Sequence, residues 1–179
     1  MEIKKIHQIL VNGGIIAYPT ESVFGLGCDP SNEQAIRKIL EIKKRTLEMG
    51  LVLLAPNIEI VSGWVNMNNK QLKLFSTPTP RPTTYIVPAS DSAPQWLAVK
   101  NTLAIRLSND PFITNICGMM GFPIVSTSAN LHGEKPCRSA DEVEKAMGSQ
   151  LDYIVFRPTG PFNNPSTIID LSSGKTIRP

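Results

Sequence analysis

The sequence predicts an α/β protein in which helices flank a mixed, twisted sheet. Short apolar runs that end at Gly or Pro alternate along the chain with segments whose apolar residues recur at helical spacing. The chain has 179 residues, with no internal repeat and no linker long enough to divide it. We therefore expect a single domain over residues 1–179.

The composition is that of a globular protein, with 41% hydrophobic and 18% charged residues. The sequence contains no run of 18 apolar residues, so no membrane span is expected. The first residues lead into an amphipathic pattern rather than a signal peptide. Cys28, Cys117 and Cys137 are odd in number and far apart, which argues against a disulfide framework. We therefore expect a cytoplasmic protein.

Charge and histidine content narrow the function classes further. A net charge of +3 suits anionic small molecules or transient contact with RNA, and falls short of a dedicated nucleic-acid binder. With only His7 and His132, a His-based zinc site or a Ser-His-Asp triad is not expected.

The first element is predicted as a helix over residues 2–12, which Gly13-Gly14 ends. A buried strand follows and stops at Pro19, which has no N–H to donate. Residues 19–27 are predicted to form a polar loop leading towards a helix, and such a loop is typical either of a ligand site or of a connector. Its Gly25-x-Gly27 spacing is not a dinucleotide-binding fingerprint.

The second helix is predicted from Ser31, with Gln34 completing a capping box, to about Arg45. Its apolar stripe consists of Ile36, Ile39 and Leu40. Lys43 lies four residues after Ile39 and therefore projects from the buried face. Such a lysine either extends past the helix end to solvent or reaches an anion in a cleft, and the spacing leaves both open.

The middle of the chain continues the alternation. A flexible stretch is predicted over residues 46–50 and a strand over 51–55. Residues 57–76 are predicted as irregular helix, with Trp64 in the core or in a cleft wall. The proline-dense residues 77–82 exclude regular structure. A strand resumes at residues 85–87.

Residues 102–107 alternate cleanly and are predicted as a strand whose second face carries Arg106. On an edge this arginine would be a surface charge, whereas in a sheet covered on both faces it must find an anion. A helix is predicted from Asp110-Pro111 to near Gly121.

A second polar stretch follows the next predicted strand. Residues 122–130 run from an apolar strand into Ser126-Thr-Ser-Ala-Asn130, whose side chains suit either a polar ligand or a self-capped turn. A capping box at Ser139 predicts a helix to Gly148, and strands are predicted over 152–156 and, as the last one, 166–171. Residues 157–165 between them are predicted as a loop.

Five motifs in this order resemble the YrdC/Sua family of threonylcarbamoyl-AMP synthases, in its short, TsaC-type form. They are Tyr18-Pro-Thr-Glu-Ser-Val-Phe-Gly-Leu-Gly-Cys28, Lys43-x-Arg45, Ala104-Ile-Arg-Leu107, Ser126-Thr-Ser-Ala-Asn130 and Pro165-Ser-Thr-Ile-Ile-Asp170. The resemblance spans nearly the whole chain. It implies a twisted α/β sheet with a concave basic cleft, and a reaction of L-threonine, bicarbonate or CO2, and ATP that gives threonylcarbamoyl-AMP and pyrophosphate.

The resemblance also implies partners and a cofactor. A downstream tRNA threonylcarbamoyl transferase complex would move the group onto adenosine next to the anticodon, and weak direct tRNA binding stays open. Mg²⁺ would accompany the ATP phosphates without dedicated protein ligands. Because the reaction mainly brings anions together, positioning and charge neutralisation should dominate, and no protein nucleophile is required.

The implied roles fall on residues that the sequence already distinguishes. Lys43, Arg45 and Arg106 are the expected catalytic residues. Threonine would contact Thr20, Arg106, Ser126 and Ser166, so the loop after Pro19 serves the amino acid rather than the phosphates. ATP would contact Lys43, Arg45, Ser128, Asn130 and Arg138.

The chain departs from the family pattern at four positions. Thr46 and Met49 replace a proline and a polar residue after the Lys-x-Arg motif, and Thr79 and Arg81 replace the tryptophan and glycine of a Trp-Pro-Gly-Pro motif. Two other readings stay open: a non-catalytic tRNA- or rRNA-binding accessory protein of the same fold, and a relative that handles another carbamoyl adenylate. The isolated cations Lys43 and Arg106 and the 6% aromatic content favour the enzyme over the RNA binder.

Overall fold

The computed structural model describes residues 2–46, 50–131 and 133–179. The described residues form two compact units: the first from residues 2–46 and 124–165, the second from residues 50–123 and 166–179. The elements in chain order are α1 (Glu2–Val11), β1 (Ile16–Pro19), β2 (Phe24–Gly27), α2 (Glu33–Lys43), β3 (Val52–Ala55), α3 (Asn69–Ser76), β4 (Thr83–Pro88), β5 (Thr102–Leu107), α4 (Pro111–Met120), β6 (Ile124–Ser128), α5 (Ala140–Met147), β7 (Tyr153–Ile154), β8 (Thr167–Asp170) and β9 (Thr176–Arg178).

In the first unit, the strands lie in the order β7-β1-β2-β6. β1 is parallel to β7 and antiparallel to β2, which is antiparallel to β6. β1 and β2 are buried along their whole length, and α5 packs against β1. The predicted mixed α/β character is confirmed here.

The predicted loop over residues 19–27 is wrong in its second half. Phe24–Gly27 is strand β2, and its register opposite β1 pairs Pro19 with Phe24, which leaves residues 20–23 as the turn of a hairpin. The two glycines and the proline suggested a loop, but Gly27 is required by close packing. A Cβ at Gly27 would lie 2.6 Å from Cε1 of Tyr18 and 2.7 Å from the carbonyl oxygen of Val125.

Helix α2 has a different cap from the predicted one. Asn32, not Ser31, is the N-cap, and its side chain accepts a hydrogen bond from the N–H of Ala35. The helix ends at Lys43, because Lys44 adopts a left-handed conformation (φ 49°) that turns the chain out of the helix. The predicted burial of Lys43 is confirmed, with 1% of its surface exposed.

In the second unit, the strands lie in the order β3-β5-β4-β8-β9. β5 is parallel to β3 and antiparallel to β4; β4 is parallel to β8, and β8 is antiparallel to β9. Helix α4 packs on β3, with Asp110 as its N-cap and Gly121 as its left-handed C-cap, as the sequence predicts. Strand β9 was not predicted, so residues 166–171 do not hold the last strand.

The remaining predictions are confirmed in outline and adjusted in their limits. The predicted strand over residues 152–156 is reduced to Tyr153–Ile154. Residues 57–76 contain a 3-10 turn at Ser62–Trp64 and helix α3, and the half-buried Trp64 stacks on Phe122 with ring centroids 6.3 Å apart. Residues 77–82 have no regular structure. The single domain over 1–179 and the concave basic cleft stay predictions.

Candidate functional site

The ammonium of Lys43 lies in a cluster of oxygen atoms in the first unit. It donates to the carbonyl oxygens of Ser128 and Asn130, to the Asn130 Oδ1 at 2.6 Å and to the Ser128 Oγ at 3.3 Å. The last turn of α2 delivers the lysine, because its position on the apolar stripe directs it inwards. The oxygens come from the end of β6 and the residues after it. The structure thus brings three predicted ATP-binding residues together.

Asn130 is fixed by bonds on both ends of its carboxamide. Its Oδ1 accepts from Ser128 Oγ at 2.6 Å as well as from Lys43, and its Nδ2 donates to the carbonyl oxygens of Leu131 and Glu134 at 3.0 and 2.8 Å. A carboxamide can satisfy donors and acceptors at once, which neither a carboxylate nor a methyl group can do. The polar stretch after β6 is therefore more than a turn capping itself.

The pKa of Lys43 is lowered to about 8. Burial of the ammonium is the main cause, and the positive charge of Arg45 adds to it, while Cys137 acts in the opposite direction. Below pH 8 the ammonium is charged and acts as a compact, fixed cation with three N–H donors. Arg45 is half-buried and follows the left-handed Lys44, so the predicted Lys-x-Arg pair lies at the end of α2.

Thr20 and Ser126 both pack against Gly25. A Cβ at Gly25 would be 3.1 Å from Ser126 Oγ and 3.3 Å from Thr20 Cγ2, so only a glycine leaves both side chains undisturbed. Both are buried. The hydroxyl of Thr20 donates to the carbonyl oxygen of Val23 at 2.8 Å. Because its proton is used there, the Thr20 oxygen offers a ligand only an acceptor.

Arg138 belongs to an open cavity in the same unit. The cavity has a volume of about 560 Å³ and is lined mainly by Asn130, Leu131, Pro136, Cys137, Arg138 and Glu142. The guanidinium of Arg138 donates to the Asn163 Oδ1 at 2.9 Å and to the carbonyl oxygen of Phe162 at 3.4 Å. Its partners thus lie in the loop over residues 157–165.

The second unit holds a cluster of two arginines and two hydroxyls. Arg106 is buried in β5 with 8% of its surface exposed. Arg178 donates to the carbonyl oxygen of Ser166 at 2.9 and 2.7 Å and to its Oγ at 3.2 Å, and Ser166 Oγ also bonds to Thr84 Oγ1 at 2.8 Å. Burial and the positive charge of Arg106 lower the pKa of Arg178.

This cluster adds a residue that the sequence analysis missed. Two guanidinium groups close enough to affect each other favour an anion beside them, because it offsets their repulsion. Arg178 could not be predicted as a site residue, because neither a helical nor a strand periodicity links it to Arg106. The structure reveals it, because β9 pairs with β8 and brings Arg178 to the predicted Ser166.

Three of the four residues that depart from the family pattern are exposed at the surface. Thr46 is exposed, and Met49 lies outside the described residues. Thr79 and Arg81 are exposed on the proline-dense segment, where Thr79 Oγ1 donates to the carbonyl oxygen of Arg81 at 2.8 Å.

Within the described ranges, no group of three or more His, Cys, Asp or Glu side chains is placed to hold a metal ion. Nor does any helix in those ranges combine the length and apolar character that a membrane span requires.

Comparisons with known proteins give consistent matches. A family model for Sua5/YciO/YrdC proteins, described as "Telomere recombination", matches residues 8–179. The chain is 41% identical over 182 residues to the threonylcarbamoyl-AMP synthase of Haemophilus influenzae, with 99% of each chain covered. It is 38% identical to that of Xanthomonas axonopodis pv. citri, covering 99% of this chain and 97% of the relative.

Solved structures match in fold. The crystal structure of E. coli YciO superimposes with a TM-score of 0.87 at 25% identity, covering 99% of this chain and 88% of that one. The crystal structure of P. abyssi Sua5 complexed with L-threonine superimposes with a TM-score of 0.86 at 24% identity, covering 96% of this chain. This chain spans 51% of that Sua5 chain. At such identities the structural likeness shows the fold.

Proposed function

The chain belongs to the Sua5/YciO/YrdC family, and we propose on that premise that it is an L-threonylcarbamoyladenylate synthase. The family model covers residues 8–179, and relatives of about the same length carry the name threonylcarbamoyl-AMP synthase. The enzyme is a nucleotidyltransferase with ATP, L-threonine and bicarbonate or CO2 as substrates. Its product serves the threonylcarbamoyladenosine modification of tRNA.

The reaction needs anions brought together rather than a protein nucleophile. The amine of threonine forms a C–N bond to CO2 and loses a proton, which gives a carbamate. A carbamate oxygen then attacks the α-phosphorus of ATP, the bond from that phosphorus to the bridging oxygen breaks, and pyrophosphate leaves. Fixed cations that offset the negative charge of both reactants are the main help that a protein can give.

The observation that carries the proposal is the buried ammonium of Lys43. A lysine with 1% of its surface exposed, held by the oxygens of Ser128 and Asn130, is a fixed point charge at the end of a strand. In α/β sheets, ligands bind at the carboxyl ends of strands. We assign Lys43 and Arg45 to the ATP phosphates, with Ser128 and Asn130 beside them.

The nucleotide has a cavity next to this cluster. Asn130 and Arg138 line it, and its volume of about 560 Å³ lies within the usual range of ligand sites. We assign the cavity to the nucleoside part of ATP, with Arg138 at its wall. Mg²⁺ bound to the phosphates would offset the charge that Lys43 and Arg45 do not.

The amino acid is assigned to the other group of residues. Arg106 suits the carboxylate of threonine, because a guanidinium offers two parallel N–H donors. Ser166, which Arg178 and Thr84 hold in place, is a hydroxyl for the same substrate. In the first unit, the buried Thr20 and Ser126 are the remaining threonine contacts of the proposal.

Several finer points belong to the proposal as well. We propose that the enzyme acts in the cytoplasm as one domain and that a downstream tRNA threonylcarbamoyl transferase complex consumes its product. Any direct binding of tRNA would be weak, because the net charge is only +3. The alternative of a non-catalytic RNA-binding accessory protein is not favoured, because the relatives of equal length carry the name of a synthase.

One assay tests the proposal directly. The purified protein is incubated with ATP, Mg²⁺, bicarbonate and L-threonine, and the adenylate and pyrophosphate are measured by mass spectrometry. We expect both products, and neither when threonine or bicarbonate is omitted. An absence of products together with tight tRNA binding would overturn the synthase in favour of the RNA-binding alternative.

A further inference from the structure

The loop over residues 157–165, here called the strap, lies against the turn over residues 20–23 in the same unit. The N–H of Gly160 donates to the carbonyl oxygen of Thr20 at 2.9 Å, and the N–H of Phe162 donates to that of Glu21 at 3.0 Å. The hydroxyl of Ser22 donates to the carbonyl oxygen of Asn164 at 2.8 Å. Three successive residues of the turn are thus bonded to the strap.

Gly160 is the point of closest approach between the two segments. A Cβ at this position would lie 2.8 Å from the Cα and 2.8 Å from the carbonyl oxygen of Glu21. Both are backbone atoms, so they cannot move aside as a flexible side chain can. Any larger residue at Gly160 must therefore push the turn and the strap apart.

The strap is an irregular and largely exposed segment. It contains no helix or strand, and Arg157, Pro158, Pro161, Asn163, Asn164 and Pro165 are exposed. Outside the turn, the side chain of Arg138 contacts it, at Asn163 and Phe162. The hydrogen bonds to the turn therefore help to hold the strap in place.

The turn over residues 20–23 carries the side chain of Thr20, which is a proposed contact of the threonine substrate. Thr20 has its own N–H and its hydroxyl both bonded to the carbonyl oxygen of Val23, at 3.0 and 2.8 Å, which fixes the direction in which its oxygen can accept. Its methyl side lies against the Gly25 position. The strap adds a third constraint on Thr20, because the N–H of Gly160 donates to its carbonyl oxygen.

We propose that Gly160 is a positioning residue that sets the place of Thr20 through the strap, and so determines the affinity for the amino acid substrate. This inference rests on the proposed function, because it takes Thr20 as a threonine contact. A displacement of the turn by a fraction of an ångström moves the Thr20 oxygen away from the donor group of the substrate. The bonds between the strap and the turn involve neither Lys43 nor Asn130, and Arg138 contacts the strap at Phe162 and Asn163 rather than at Gly160, so ATP binding should change much less than threonine binding.

The test compares Gly160→Ala with Gly63→Ala, since a Cβ at Gly63 meets no atom within 4 Å. We expect Gly160→Ala to raise the KM for threonine by at least about tenfold, as misplaced contacts do, while the Kd for ATP measured by calorimetry without threonine changes less than twofold. Gly63→Ala should match the wild type in both. An equal rise in both constants, or an unchanged KM, would overturn the proposal.

A second variant covers the case in which Gly160→Ala does not fold. Ser22→Ala removes the hydroxyl bond to Asn164 and leaves every backbone contact possible, so we expect a rise of about threefold in the KM for threonine at an unchanged ATP Kd. An unchanged KM in Ser22→Ala would then overturn the proposal.

Hydrogen exchange separates this inference from the proposed function. The amide of Thr20 should exchange at least about tenfold faster in Ser22→Ala or Gly160→Ala than in the wild type, and unchanged exchange would show that the strap does not hold the turn. This readout needs no substrate. If the wild type makes no adenylate, the proposed function fails while the exchange result still decides the strap.

Discussion

The ammonium of Lys43 bonds to the side-chain oxygen of Asn130 at 2.6 Å, across 87 positions of the sequence. The last turn of α2 carries the cation, and the segment after β6 carries the amide. Burial lowers the pKa of the lysine to about 8, whereas hydrogen bonds to the charged form act against that shift. The charge of this group is therefore open to titration near the upper end of the physiological range.

The affinity for ATP should fall as the pH rises through about 8. Above that value the ammonium of Lys43 loses its proton and no longer attracts phosphates. Calorimetry from pH 7 to 9.5 measures the Kd for ATP, and we expect most of the loss within this window. Lys43→Arg keeps its charge throughout and should show no such transition. The same transition in both proteins would show that another group controls it.

Stability should respond to the same titration in the opposite direction. Because the folded pKa of about 8 lies below the ordinary 10.5, the unfolded chain binds more protons between these values. The free energy of unfolding of the wild type therefore rises with pH from about 8 to 10.5, relative to Lys43→Met. Urea unfolding of both proteins at pH 7 and pH 10 checks this. A free energy of unfolding of the wild type that stays constant or falls with pH, relative to that of Lys43→Met, would contradict the lowered pKa.

Asn130→Asp should shift the pH transition upwards and weaken ATP binding. The new carboxylate favours the charged form of Lys43, repels the phosphates, and loses the two bonds that Nδ2 donates to Leu131 and Glu134. Calorimetry against pH measures both effects. Asn68→Asp is the matched control, because Asn68 is a helix cap far along the chain where aspartate caps equally well. An unchanged transition in Asn130→Asp would exclude the amide from the site.

The sequence predicted the Lys43 cluster better than it predicted the hairpin before it. Helical spacing alone placed Lys43 on the buried stripe, because the side-chain directions of a helix follow from its period. The pairing of Phe24–Gly27 with β1 depends on a register between residues that face each other, and Gly25 and Gly27 gave no propensity for a strand. Their glycines serve close packing, which only the assembled sheet reveals.

In the second unit too, local spacing predicted single residues, whereas contacts between strands had to be seen in the structure. Alternation over residues 102–107 predicted strand β5 and put Arg106 on its second face, but it left open whether the arginine is exposed or buried; the structure buries it. Its neighbour Arg178 lies in the three-residue strand β9, which is too short to carry a period. Local patterns therefore predicted most of the helices and strands, with β2 and β9 as exceptions, whereas the residue pairs that make up the candidate site required the fold.

Arg106→Ala should raise the KM for threonine by about 10- to 100-fold, which is the usual effect of losing a charged hydrogen-bond pair. The Kd for ATP should change less than about threefold, and Lys43→Ala should show the reverse. Steady-state kinetics and calorimetry separate the two constants. Arg37→Ala is the control, since Arg37 is an exposed partner of Glu33 on α2. Equal effects of both variants on both ligands would refute this division of roles.

Arg178→Met should act on threonine more weakly than Arg106→Ala. Its removal frees Ser166 from three hydrogen bonds and leaves the serine bonded to Thr84 alone among its described side-chain partners. We expect a rise of about three- to tenfold in the KM for threonine. Kinetics of Ser166→Ala and of the double variant show whether the two residues act together. If the KM of the double variant is no higher than that of Ser166→Ala, Arg178 acts through the serine. Additive increases in the KM would contradict this.

Alanine at Gly25 and at Gly27 should have different consequences although both lie in β2. At Gly27 the new Cβ meets the backbone oxygen of Val125 at 2.7 Å, so we expect a loss of about 1–3 kcal/mol in the free energy of unfolding. At Gly25 it meets the side chains of Ser126 and Thr20 at 3.1 and 3.3 Å, which can shift slightly. Gly25→Ala should therefore unfold within about 1 kcal/mol of the wild type.

The cost at Gly25 should appear in catalysis instead. The two side chains that must move are proposed threonine contacts, so Gly25→Ala should raise the KM for threonine by about tenfold or more. Urea unfolding and steady-state kinetics on both variants measure the contrast. Because the new Cβ in Gly27→Ala meets Tyr18 and the carbonyl oxygen of Val125 rather than the two hydroxyl-bearing side chains, its folded fraction should show a smaller rise in the KM than Gly25→Ala. A normal KM in Gly25→Ala, with the side chains displaced, would remove Thr20 and Ser126 from the threonine site.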